Sequence, residues 1–256
     1  MILAIDVGNT NTVLGIMEDG CISGNVVRMR TEEESTVAEI AIKVLDLLSY
    51  MHVSPTELEG AVISSVVPPL NGNLCKAVQS ITGKRPVLVG PGVKTGLNVK
   101  IDDPGTLGAD LVVGGVAAIE YYSVPAIVID MGTATTITLV DSTGSFRGGA
   151  ILPGVKLSFS ALAAGTSLLP DIYISAPPHA IGTNTTDCMR SGAVLGTASM
   201  IDGMIDRMEE ELGEKCALIA TGGLAESVIP YCRHEIICDD ELLLKGLWAI
   251  YKKNTR

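Results

Sequence analysis

The stretch at residues 2–14 constrains the fold most strongly, because it places one carboxylate and several small polar residues at a turn between two apolar runs. The first run, residues 2–5, predicts a buried strand that ends at Asp6, and the run after the turn predicts its partner. Gly8 permits a ligand to approach the backbone, and residues 9–12 offer hydrogen-bond donors to phosphate oxygens. Asp6 would reach phosphate only through a cation. Taken alone, the motif also fits a β-hairpin with a polar turn and no ligand.

The same motif occurs a second time at residues 130–136, which read DMGTATT between two further apolar runs. A shift of 124 positions superposes Ile5 on Ile129, Asp6 on Asp130, Gly8 on Gly132 and Thr12 on Thr136. Two such hairpins at the start of two similar halves predict a duplicated domain with a nucleotide in the cleft between the halves.

Composition narrows the class of protein. Hydrophobic residues make up 47% of the 256 residues and aromatic residues only 4%, so the core must be built from Ile, Leu, Val and Ala. The formal charge of -11 argues against nucleic acid as a partner, because no basic excess exists to neutralise a phosphate backbone. The absence of a basic N-terminal region and of a run of about 18 apolar residues predicts a cytoplasmic protein without a membrane span. The six cysteines lack C-x-x-C pairs, so no zinc site is expected.

The pattern of elements is similar in both halves. Thr36 and Glu39 match a capping box, and the apolar residues that follow are spaced as on one face of a helix, so a helix is predicted to begin here. Residues 59–67 predict a buried strand. Residues 216–223 are the counterpart of that strand in the second half. Each half therefore has a hairpin and a third strand, followed by helix, strand and helix, which describes an α/β protein with a duplicated ribonuclease H-like or actin-like fold. The predicted domains are residues 1–118 and 119–256.

Two predicted helices carry features with more than one interpretation. Asp110 lies in the first turn of a helix predicted at residues 107–119, where it fits a cap worth about 1 kcal/mol and equally fits a base at the mouth of the cleft. A helix predicted to continue to about residue 212 has a face of small residues that permits close approach by another helix or subunit. This face consists of Ser191, Gly192, Gly196 and Thr197.

As an ordered set, the motifs closely resemble those of the type III pantothenate kinases, which belong to the acetate and sugar kinase, heat-shock protein and actin superfamily. The resemblance covers essentially the whole chain. The matching segments are Asp6 to Thr10, Lys94 to Leu97, Gly108 to Asp110, Asp130 to Thr135, Gly148 to Gly154, Gly182 to Thr185, Thr221 to Gly223 and Gly246 to Tyr251.

The resemblance implies ATP-dependent phosphorylation of pantothenate to 4'-phosphopantothenate, the first committed step towards coenzyme A. It implies ATP, Mg²⁺ and a monovalent cation, K⁺ or NH₄⁺, as cofactors, and a homodimer as the assembly. These expectations agree with the chemistry of phosphoryl transfer, which needs a metal ion, phosphate-binding amides and one positioned carboxylate.

The resemblance also implies roles for individual residues. Asp110 would accept the proton of the attacking hydroxyl, Asp130 would help to bind the monovalent cation, and Asp6 would bind Mg²⁺, indirectly. The ATP phosphates would be held by Asp6, Val7, Gly8, Asn9, Thr10, Asn11, Thr12, Val13 and Thr133. The substrate would be contacted by Gly108, Ala109, Asp110, Leu111 and Thr185, the last of these across the dimer interface.

Two positions depart from the family pattern, both on the pantothenate side. Leu111 stands where the family has arginine, and Ile101 stands where it has a substrate-contacting tyrosine. Loss of a charge-assisted contact to the substrate carboxylate costs about 1.5 to 3 kcal/mol. Two alternatives therefore remain open: a related kinase for another small hydroxyl compound, and a non-catalytic nucleotide-binding regulator.

Overall fold

The computed structural model describes residues 1–170 and 172–255. The chain divides into two compact units. The first unit consists of Met1–Leu97, Asp102–Tyr121 and the chain from Glu241 on, and the second consists of Asn98–Ile101 and Tyr122–Asp240. A single cut after residue 118 does not delimit these units, because the C-terminal helix belongs to the first one. As the boundary between the two duplicated halves, residue 118 stays a prediction.

Both units contain strands and helices. The strands are β1 (Ile2–Val7), β2 (Asn11–Glu18), β3 (Cys21–Ile22), β4 (Val27–Arg30), β5 (Ala61–Ser65), β6 (Val87–Leu88), β7 (Asn98–Val99), β8 (Ala126–Met131), β9 (Ala134–Val140), β10 (Ser145–Pro153), β11 (Ala217–Thr221) and β12 (Ile237–Cys238). The α-helices are α1 (Val37–Tyr50), α2 (Pro68–Thr82), α3 (Ala109–Tyr121), α4 (Val155–Ala164), α5 (Thr185–Ser191), α6 (Thr197–Leu212), α7 (Ala225–Val228) and α8 (Leu242–Thr255). None of the helices within the described residues is long and apolar enough to cross a membrane.

Each unit contains one mixed sheet, and the two sheets have corresponding topology. The first sheet has the order β3-β2-β1-β5-β6, with β4 also paired to β2, and the second has the order β12-β11-β8-β9-β10-β7. In both sheets the first long strand pairs antiparallel with the next strand and parallel with a later one, as β1 does with β2 and β5, and β8 with β9 and β11. The predicted duplicated α/β architecture is confirmed.

The two hairpins differ in length by one residue, which corrects part of the predicted superposition. Val7 pairs with Thr12 in the first hairpin, whereas Met131 pairs with Thr135 in the second. The shift of 124 positions therefore holds for β1 and β8 but not beyond the turn. The structural counterpart of Thr12 is Thr135 rather than Thr136, and both of these counterparts are buried.

The first sheet is covered by helices on both faces. Leu3 and Ile5 belong to a core cluster that includes residues of α1 and α2, while α8 contacts β1 and β5, and α3 contacts β5. The capping box predicted at Thr36 and Glu39 is present and starts α1. Side chains alternate along a strand. Ala4, which lies between Leu3 and Ile5, therefore faces the layer formed by α3 and α8.

Glycines permit the close packing of α8. Gly15 lies opposite Leu244, whose Cδ1 would come within 2.7 Å of an added Cβ, and a Cβ on Gly60 would overlap the Tyr251 ring. Gly246 lies against the backbone carbonyl of Val113 in α3, so that any Cβ at this position would collide with it. The C-terminal helix therefore reaches the sheet and α3 only because side chains are missing at these three positions.

The second unit has its own core, formed by β8, β9 and β11 together with α6 and neighbouring helices. The helix predicted to run without interruption to residue 212 is divided: α5 and α6 are joined by a π-helical turn at Gly192–Gly196. The π turn lines a cavity of about 260 Å³, together with Leu152, Val155 and Phe159. Three of the four predicted small-face residues thus border this cavity: Gly192, Gly196 and Thr197.

Replacing a packing glycine should destabilise the first unit, whereas replacing an exposed one should not. We expect Gly246→Ala to lower the free energy of unfolding by about 1 to 3 kcal/mol, because the new methyl group must displace the Val113 backbone. Gly72→Ala in α2 is the matched control, because its Cβ would meet no atom within 4 Å and alanine favours a helix by about 1 kcal/mol. Denaturant unfolding followed by fluorescence of Trp248, the single tryptophan, measures both changes, and equal stability of the two variants would contradict this account of α8 packing.

Candidate active site

Asp6 lies on the face of β1 that is covered by α3 and α8. Ala4 pairs with Gly15, and Gly15 lies opposite Leu244 of α8, which defines that face. Asp6 follows Ala4 by two residues and therefore points to the same side. Its register partner on the parallel strand β5 is Ser64. The sequence thus places one carboxylate and one hydroxyl side by side at the end of the first sheet.

The environment of Asp6 favours its protonated form. Its pKa is raised to about 6, chiefly by burial; the hydroxyl of Ser64 opposes this rise, and the negative charge of Asp110 adds to it. Asp6 and Asp110 therefore lie within electrostatic reach of each other. A nearby cation would favour the ionised form of both carboxylates.

Asp110 is held in the first turn of α3 by its own backbone surroundings. The helix begins at Ala109, and Asp110 Oδ1 accepts a hydrogen bond from the N–H of Leu111 at 2.8 Å. Gly108 lies directly against this carboxylate oxygen, so a side chain there would collide with it. Burial raises the pKa of Asp110, and the backbone donors partly offset the rise. The carboxylate is therefore oriented by the backbone of its own helical turn.

The turn after Asp6 is fixed by Thr31, a residue that the sequence analysis missed. The Thr31 hydroxyl donates to the carbonyl of Gly8 at 2.7 Å, and its N–H donates to the carbonyl of Thr10 at 3.0 Å. The buried hydroxyl of Thr12 lies 2.9 Å from that of Thr31. Thr12 therefore stabilises the turn from within. No sequence pattern distinguishes Thr31 from any other strand end, because its role depends on the pairing of β4 with β2.

The exposed part of the turn is short. Asn9, Thr10 and Asn11 are exposed, whereas Val7 is buried and Val13 is partly buried in the hairpin. The Gly8 N–H bonds to the Asn11 carbonyl at 3.0 Å, which closes the turn. Of the residues predicted to hold phosphates in this unit, these three exposed residues present polar groups to solvent in a fixed turn.

The second unit carries the corresponding hairpin around Asp130 and Thr133. Thr133 is exposed, and its carbonyl accepts a hydrogen bond from the N–H of Gly154 at 3.1 Å. Gly222, with a positive φ of +95°, lies so close to Asp130 that an added Cβ would be 2.8 Å from Asp130 Oδ1. Gly132 also borders this oxygen. Glycines thus surround the second carboxylate, which agrees with the small residues noted in both motifs.

The predicted substrate residues lie on three separate segments. Gly108, Ala109 and Leu111 are partly buried around the start of α3 in the first unit. Thr185 is the exposed first residue of α5 in the second unit, after the cap formed by Asn184. Ile101 is partly buried beside Gly148 in the second unit.

A search of solved structures supports the predicted fold. Component A of the (R)-2-hydroxyglutaryl-CoA dehydratase of Acidaminococcus fermentans superposes with a TM-score of 0.60, and the match covers 100% of this chain and 99% of that one. The sequence identity is only 15%, so this likeness concerns the fold alone. The chain thus has the actin-like fold that its duplicated hairpins predicted.

Sequence comparisons identify the family. The family model described as type III pantothenate kinase matches residues 2–207. A type III pantothenate kinase of Halalkalibacterium halodurans is 44% identical over 257 residues, covering 99% of this chain and 100% of the relative. Another, from Myxococcus xanthus, is 42% identical over 254 residues and covers 99% of both chains. With a family match over most of its length and full-length relatives at this identity, the chain belongs to the type III pantothenate kinase family.

Proposed function

We propose that the protein is a kinase that uses ATP to phosphorylate pantothenate to 4'-phosphopantothenate, the first step of coenzyme A biosynthesis, in the cytoplasm. Family membership supports the substrates. The observation that carries the chemistry is the electrostatic proximity of Asp110 to Asp6, since it sets a potential base beside the turn that is proposed to hold phosphate. Phosphoryl transfer needs these two parts and a metal ion, and little covalent chemistry beyond them.

Asp110 is the proposed general base. Leu111 N–H orients the carboxylate through Oδ1, so the other oxygen accepts the proton of the pantothenate hydroxyl as its oxygen attacks the γ-phosphorus. Burial raises the pKa of Asp110, which makes the carboxylate a stronger base than an exposed aspartate. The leaving group is ADP.

The first hairpin is the proposed site for the phosphates of ATP. Asn9, Thr10 and Asn11 present polar groups on a turn that Thr31 holds in place. Mg²⁺ usually keeps several water ligands and is held by one or two carboxylates together with substrate phosphates, so Asp6 fits an indirect role. A bound Mg²⁺ would neutralise charge on the phosphates.

In the second unit, Asp130 is proposed to bind a monovalent cation, K⁺ or NH₄⁺, and Thr133 to assist with phosphate. Asp130 is partly buried in a setting lined by glycine backbone, where a carboxylate and carbonyl oxygens suit a hard cation. Thr185 is proposed to contact pantothenate from the exposed start of α5.

Removal of the proposed base should abolish turnover without unfolding the protein. In Asp110→Asn the amide oxygen can still accept from Leu111 N–H, but the side chain no longer accepts a proton. We expect the rate to fall by about 10²- to 10⁴-fold, measured as ADP release with ATP, Mg²⁺, K⁺ and pantothenate. Asp46→Asn on the exposed face of α1 serves as the control, and full activity of Asp110→Asn would remove Asp110 from this role.

Leu111 provides a test of the acceptor. If pantothenate is the substrate, Leu111→Arg should restore a charge-assisted contact to its carboxylate and lower the KM for pantothenate by about ten- to a hundredfold. The value of kcat should change little, because the contact stabilises the bound substrate and the transition state equally. Leu111→Met controls for altered packing. An unchanged KM in both variants would favour a different acceptor compound.

A homodimer is part of the proposal, and the surface of the second unit supports it. Large apolar side chains are strongly exposed there, among them Ile151 at 75%, Tyr173 at 84% and Ile181 at 83%. Large exposed apolar side chains are common at interfaces between subunits.

Placing a charge on this surface should produce monomers. We expect Ile151→Glu to shift the molecular mass, measured by light scattering after gel filtration, from a dimer to a monomer, because an ionised carboxylate buried in an apolar interface is strongly unfavourable. Ile42→Glu is the matched control, since Ile42 is 59% exposed on α1 of the first unit. An unaltered dimer in Ile151→Glu would place the interface elsewhere.

A further inference from the structure

Ser64 carries a buried hydroxyl that the fold itself does not use. The residue has a relative exposure of 0%, and its Oγ atom forms no hydrogen bond of ordinary geometry within the described residues. Buried polar groups are nearly always hydrogen-bonded, so an exception calls for an explanation. Its neighbour Ser65 differs, because Ser65 Oγ accepts a hydrogen bond from Val67 N–H at 3.1 Å and stabilises the turn after β5.

The register places this hydroxyl beside Asp6. Ser64 and Asp6 are directly paired on the parallel strands β5 and β1, so their side chains lie on the same face. The remaining residues of β5 before Ser64 are apolar. Ser64 is close enough to Asp6 for its hydroxyl to oppose the rise in the Asp6 pKa. The one available polar neighbour of the hydroxyl on this strand pair is therefore a carboxylate.

The second unit repeats the arrangement with a different residue. Thr221 is paired with Asp130 on the parallel strands β11 and β8, in the position that Ser64 and Asp6 occupy in the first unit. Thr221 is 3% exposed and ends an otherwise apolar strand. Two corresponding strands of different sequence, AVISS and ALIAT, thus each place a hydroxyl beside the carboxylate at the end of the central strand.

We propose that Ser64 is a positioning residue for the reaction, whose hydroxyl donates a hydrogen bond to one oxygen of Asp6 and so directs the other oxygen towards the Mg²⁺–ATP complex. This inference rests on the proposed function, because it takes Asp6 to hold the metal-nucleotide complex. A hydroxyl suits the task since it rotates to follow the carboxylate, and a hydrogen bond to an ionised acceptor is stronger than one between neutral groups.

Two substitutions of equal volume isolate the hydroxyl. Ser64→Thr keeps it and adds a methyl group, while Ser64→Val adds the same bulk and removes the hydroxyl. We expect Ser64→Val to have about a tenfold lower kcat/KM for MgATP than Ser64→Thr and to need correspondingly more Mg²⁺ for half-maximal rate. Ser64→Ala, which avoids the extra bulk, should show the same loss relative to the wild type. Equal kinetics and equal Mg²⁺ dependence in Thr and Val variants that melt at similar temperatures would overturn the proposal.

A control variant separates positioning from general stability. Thr138→Val removes a buried hydroxyl that bonds to the Val128 carbonyl at 3.4 Å, and it should change the melting temperature but not the Mg²⁺ dependence. If Thr138→Val alters the Mg²⁺ dependence as strongly as Ser64→Val does, the effect at Ser64 is structural and the proposal fails.

Calorimetric titration of the protein with ATP, in the presence of Mg²⁺ or of EDTA, tests the role of Ser64 separately from the identity of the acceptor. It needs no pantothenate. If the wild-type protein binds ATP in a Mg²⁺-dependent way but does not phosphorylate pantothenate, only the proposed acceptor is wrong. A weaker Mg²⁺ dependence of ATP binding in Ser64→Val than in Ser64→Thr still supports the role of Ser64 in that case. Binding of ATP by the wild type that is indifferent to Mg²⁺ overturns both.

Discussion

The proximity of two carboxylates, Asp6 and Asp110, is the interaction on which the proposed chemistry depends. Burial and mutual repulsion act in the same direction on Asp6 and raise its pKa to about 6. Ionisation of both groups becomes favourable when a cation lies between them and the phosphates. The fold therefore maintains an electrostatically unfavourable arrangement, which a metal-nucleotide complex would relieve. A site of this kind stabilises its ligand more than an isolated carboxylate on the surface would.

The arrangement is held by elements far apart in the sequence. Asp6 ends β1, Asp110 begins α3, and α8 covers the face of the sheet on which Asp6 lies. The helix α8 reaches this place through the missing side chains of Gly15, Gly60 and Gly246. Packing of the C-terminal helix therefore contributes to the position of the proposed catalytic groups, and a defect in α8 should disturb the proposed site.

The sequence predicted well the features that depend on local pattern. The apolar run before Asp6 and the capping box at Thr36 need only neighbouring residues to be recognised, and both are confirmed. Features that depend on pairing between distant segments escaped prediction. The hydrogen bonds from Thr31 to the first hairpin turn form only because β4 pairs with β2. The match of Thr12 with Thr135 depends on the lengths of the two hairpin turns, which the sequence periodicity does not reveal.

Comparison of the two halves separates shared requirements from local ones. The two hairpin turns differ in length, and the second unit contains a π-helical turn between α5 and α6. Neither the length of the hairpin turn nor the continuity of the helix is therefore shared by the two halves. A carboxylate on the central strand beside a hydroxyl on its parallel neighbour occurs in both, as Asp6 with Ser64 and Asp130 with Thr221. Local packing does not demand this pair, since an apolar residue would fill the position of either hydroxyl. The pair is explained if each half orients a carboxylate towards a cation, Mg²⁺ in one half and a monovalent ion in the other.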